Sequence, residues 1–121
     1  VTDALTLSRE IEPYRAYIRG SAGEFTVAKD QNVRLRSGWF SDRSACYLAA
    51  GKPVITQDTA FGNVLPTGRG LFAFRTIEDV LAALDAVARD YEGHCRAAHD
   101  IAAEYFAAEK VLSRLCREAG F

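Results

Sequence analysis

The chain has 121 residues, 49% of them hydrophobic and 26% charged, with a net charge of −1, the balance of an ordinary globular protein and not of a disordered or fibrous one. One domain spanning residues 1–121 can bury roughly two-thirds of the surface its unfolded chain exposes. The near-neutral charge leaves no nucleic-acid footprint, and no apolar run approaches the roughly 20 residues a membrane span needs, so neither is expected as a partner.

In chain order, Leu5, Ile11, Tyr14 and Ile18 give a broken helical periodicity that Pro13 interrupts. Proline is tolerated in a first turn, so a helix is expected over residues 13–19, with a separate short turn before it. The glycines and small residues at 20–23 end it. Residues 24–29 alternate, with Phe25 and Val27 on one face, which predicts a short strand; residues 30–37 read as an irregular loop. Ser41 is a natural N-cap for a helix running to Ala50 with Gly51 as its stop, and Cys46, Leu48 and Ala49 are expected to face inward.

Residues 53–57 are almost continuously apolar, the pattern of a parallel strand covered on both faces. Residues 58–69, with two Gly, one Pro and one Asn, read as a loop, and 70–74 as a second buried strand. Thr76 followed by Asp79 makes a capping box. It opens a helix that carries Val80, Leu81, Leu84, Val87 and Tyr91 at helical spacing. Glu92-Gly93 is expected to break the chain before two further helical stripes over 98–106 and 111–116.

Three strands alternating with helices predict an α/β fold: a partial Rossmann-like, three-layer α/β/α arrangement with a short parallel sheet of about three strands, an open edge and C-terminal helices. Ligands of such sheets bind beyond the carboxyl ends of the strands, where Lys29, Asp30, Asp58, Thr59, Arg75 and Thr76 fall together with the N-terminus of the Ser41 helix. That N-terminus presents free N–H groups and a partial positive charge to a phosphate, and Arg43 is placed to add a bidentate grip. Trp39 and Phe40 can stack a nucleobase or serve as a hydrophobic staple at the helix entry. Glu24 and Lys29 bracket a strand and are candidates for ligand contact, or are charges held in water. Asp58 can also cap a turn in its own loop.

His94, Cys95 and His99 lack the i, i+4 ligand spacing of a helical zinc site, so no metal and no cofactor are expected. Cys46, Cys95 and Cys116 are odd in number and scattered, which points away from a disulfide framework and towards a reducing, cytoplasmic setting. The absence of Met and the start at Val1 suggest a trimmed domain.

The run L-A-A-G-K-P-V-I at residues 48–55 resembles the "EAMAxGxPVV" helix–strand block in the C-terminal, nucleotide-sugar-binding domain of retaining, two-domain GT-B glycosyltransferases of group-1 type. The order of elements around it, from residue 24 to the C-terminus, is similar to the end of that domain. The resemblance implies a donor-binding part whose N-terminal, acceptor-binding domain is missing, and which is inactive alone. It implies that Gly38, Ser41, Asp42 and Arg43 hold the diphosphate of a nucleotide sugar, while Asp58 and Thr59 line the sugar or phosphate. No catalytic residue can be carried over. The Glu-x7-Glu pair of those families falls on Gly38 and Cys46, and Thr59-Ala60-Phe61-Gly62 replaces the usual glycine pair after the strand. These departures imply a divergent branch, a different donor contact or a degenerate site. Two other classes fit the sequence: a non-catalytic nucleotide- or phosphate-binding module, and a dimerisation module that pairs with a second copy at the open sheet edge. A receiver domain, which Asp58 at a strand end would suit, needs five regular βα units and an acidic pair after the first strand, and neither is seen.

Overall fold

The structure, a computed structural model, describes residues 3–121. It opens with α1 (Ala4–Ser8), capped by the Asp3 side chain and burying nothing, and α2 (Ile11–Gly20). α2 begins ahead of the expected 13–19 because Pro13 fits inside its first turn, where a missing N–H costs nothing.

Three strands, β1 (Glu24–Thr26), β2 (Val54–Gln57) and β3 (Leu71–Phe74), form one parallel sheet in the order β1-β2-β3. The register pairs Glu24 with Val54 and Val54 with Leu71. Side chains alternate along a strand, so Val54 and Leu71 face one side while Ile55, Phe72 and Phe74 face the other. On the first side α2, α4 (Asp42–Ala49) and α6 (Tyr91–Tyr105) close the main core, in which Leu48, Val54, Leu71 and Ala98 are fully buried. On the second, α5 (Ile77–Arg89) packs Val80 and Ala83 against Ile55 and Phe74. The chain ends in α7 (Ala108–Glu118). This is the expected partial Rossmann-like α/β arrangement. Among the described residues no helix is long and apolar enough to cross a membrane.

β1 departs from its sequence reading in both length and face. It ends at Thr26, and Glu24 and Thr26 are buried while Phe25 is 58% exposed and Val27 lies exposed beyond the strand. The reason sits on α4. Arg43 donates through Nε to Glu24 Oε1 at 2.6 Å and through its terminal NH2 to Thr26 Oγ1 at 2.7 Å, so the polar side chains have a partner on the covered side. Glu24 Oε2 is buried without a hydrogen-bond partner, as is Ser44 Oγ. Phe25 stacks on Phe74 with ring centroids 5.3 Å apart, beside a groove that Ile55, Leu84 and Val87 line.

On α4 the inward residues are Ser44, Tyr47 and Leu48; Cys46 and Ala49, expected inside, are exposed. The i, i+3, i+4 stripe starts from a small polar residue, which hides it in the sequence. Residues 30–37, expected as loop, contain the one-turn helix α3 (Asp30–Arg34), in which the Asn32 and Val33 N–H groups donate to the Lys29 carbonyl. The predicted break at Glu92-Gly93 falls instead at Asp90, which ends α5 and caps α6 by accepting the Gly93 N–H at 3.0 Å. Tyr91 therefore belongs to α6, and its hydroxyl donates to the Ala22 carbonyl. Gly70, at φ +75, lets β3 start against α6: a Cβ there would lie 2.4 Å from the Ala98 nitrogen.

Candidate functional site

The carboxyl edge of the sheet is built by the turn before α4, the loop after β2 and the loop after β3. A two-way lock joins the first two. Gly38 N–H donates to the Thr59 carbonyl at 2.8 Å, and Thr59 Oγ1 donates to the Trp39 carbonyl at 2.6 Å. Gly38 takes φ +75 in that turn. Thr59 is fully buried and holds the turn. Phe40 packs between Phe61 and Phe106, with centroids 5.3 and 5.6 Å away. It anchors the entry to α4, while Trp39 stays partly at the surface.

At the α4 N-terminus, Ser41 Oγ and Asp42 Oδ1 both accept the Arg43 N–H, at 3.2 and 2.8 Å. The cap thus occupies one N–H of the first turn, that of Arg43, and the Asp42 carboxylate supplies negative charge at the positive end of the helix dipole. The Arg43 side chain, expected to grip an anion here, reaches Glu24 and Thr26 instead. Glu24, 8% exposed, is therefore a buried partner and not a strand-end charge in water. Lys29 sits exposed at the N-cap position of α3, and its side chain caps nothing.

Asp58 gathers the rest. It is 7% exposed, and its Oδ2 accepts from Arg36 NH1 at 2.8 Å and from Arg75 Nε at 2.7 Å, while Oδ1 accepts the Ala60 N–H at 2.8 Å. Burial pushes the Asp58 carboxyl up, but the hydrogen bonds from Arg36, Ala60 and Arg75 outweigh it and bring the pKa down to about 2. The three residues border a cleft of about 430 Å³ that Asn63 and Thr67 also line. At its rim the Asp79 carboxylate is turned onto the backbone N–H groups of Arg75 and Thr76, which hold it below the usual carboxylate range.

Of the residues singled out from sequence, the structure thus joins Gly38, Trp39 and Thr59 in one lock, and Glu24 with Arg43 in a pair that does not line the cleft. It leaves Lys29 apart. Arg36 carries no sequence signal: it lies in a stretch without periodicity and is one of 15 Lys and Arg residues. Among the described residues no group of three or more His, Cys, Asp or Glu is placed to hold a metal. No family model matches the chain, and no curated protein and no solved structure matches it either.

Proposed function

We propose that the chain is the donor-side part of a sugar-transferring enzyme and binds a nucleoside-diphosphate sugar across the carboxyl edge of its parallel sheet. The observation that carries this reading is the meeting of three loops at that edge, tied through Gly38, Thr59, Asp58 and Arg75, which is where open α/β sheets hold their ligands. The likeness of residues 48–55 to the donor-domain block supports it. In this reading the acceptor and the groups that activate it belong to a second domain, and the chain binds donor without turning it over. A non-catalytic phosphate-binding module is the second reading. It is favoured by Cys46, which stands where the resembled family has a carboxylate and is exposed on α4.

Thermal unfolding with UDP, GDP, ADP, CMP and dTDP and their common sugars tests the proposal. A true ligand at 100 times its dissociation constant adds about 2.7 kcal/mol to stability. Protection by one nucleoside diphosphate and its sugar is the expected result; protection by none sinks the donor reading.

A further inference from the structure

We infer that Arg36 and Arg75, spaced by the buried carboxylate of Asp58, form an oxyanion subsite that takes a phosphate or diphosphate group. The inference deepens the reading above by naming what holds the diphosphate, and rests on it only for the nucleoside.

Asp58 is engaged at both oxygens, one by two guanidinium groups and the other by a backbone N–H. Each guanidinium spends a single N–H on it, and a guanidinium carries five. The side chains of Arg36 and Arg75 remain 47% and 69% exposed against 9% for Asp58. The buried partner is thus the anion, and the two cations stand at the cleft with most of their donors unspent. Two forks fixed about one point match the several oxygens of a phosphate.

The backbone fixes where these groups stand. Among the described residues, the non-glycine residues with positive φ are Arg36 at 51° and Ala60 at 78°, and both line this one cleft. Arg36 closes the end of α3, its N–H donating to the Val33 carbonyl at 3.3 Å and the Ser37 N–H to the Asn32 carbonyl at 3.2 Å, and left-handed backbone is common at that position. The Arg36 conformation brings its side chain to Asp58 from a loop remote in sequence, and that of Ala60 turns its N–H onto the same carboxylate.

Titration of the 121-residue protein with inorganic pyrophosphate, followed through the arginine Nε–Hε resonances, tests the inference. The signals of Arg36 and Arg75 should move and that of Arg43 should not. Arg36→Gln and Arg75→Gln should each weaken binding about tenfold. Unmoved Arg36 and Arg75 signals, or wild-type affinity retained in both variants, overturn the subsite; if a variant fails to fold, the wild-type signals decide alone. Pyrophosphate binding without protection by any nucleoside diphosphate keeps the subsite and removes the donor reading. Nucleotide protection with both arginine signals still does the reverse.

Discussion

A carboxyl group as buried as that of Asp58 would by burial alone be driven towards its neutral form. Three donors reverse this and hold its pKa near 2 against an ordinary 3.8. A folded-state pKa below the unfolded value means the stabilisation is complete above about pH 4 and is lost as pH falls through 2. Its ceiling is about 2 kcal/mol, and solvent around the two exposed guanidiniums lowers the realised figure. Asp58→Asn should therefore cost about 1–2 kcal/mol at pH 6 and almost nothing at pH 2. Urea unfolding across that window measures the gap, and a gap that stays constant with pH would mean that the ion pairs are not its source. The position of Asp58 at the carboxyl edge of the sheet was legible because it directly follows an apolar strand. Its partner Arg36 was not, because the contact spans 22 positions and nothing local marks which arginine makes it.

At the scale of elements, β1 is held to α4 by the Glu24 and Arg43 pair. The two ends are unequal, with side-chain exposures of 5% for Glu24 and 48% for Arg43. Removing the arginine strands a buried charge, whereas neutralising the carboxylate frees a cation that water can reach. Arg43→Ala should cost about 2–3 kcal/mol and Glu24→Gln about 1, and equal or reversed losses in denaturant midpoint would contradict this account. The pair also explains where the sequence was readable. Gly51, Thr76 and the apolar runs mark their elements from within, so α4, β2, β3 and α5 stand close to their expected places. The inner face of β1 depends on a residue of another helix. Without Arg43 in view, Phe25 and Val27 look like the buried set, and a slip of one residue along β1 would exchange the two faces.

Across the whole molecule stability is uneven. The main core joins β2, β3, α4 and α6 through Leu48, Val54, Leu71 and Ala98, while α1 and α7 bury no residue at all. The apolar stripe of α7, Val111, Leu112 and Leu115, is exposed. Local opening costs least where few apolar contacts must break. Amides of α7 should thus exchange with solvent orders of magnitude faster than those of β2 and α6 in native-state hydrogen exchange, and equal protection would show that α7 is docked more firmly than its contacts imply.

The lock between Thr59 and the Gly38–Trp39 turn reaches further than its own two hydrogen bonds. Thr59 follows Asp58 directly, so one peptide unit sets both the arginine-lined cleft and the entrance of α4. The two loops are therefore coupled: a displacement of the turn before α4 carries to Asp58 and to the two arginines bound to it. A change at Thr59, which touches no solvent, would reach the arginine-lined cleft and the helix entrance together, from inside the molecule.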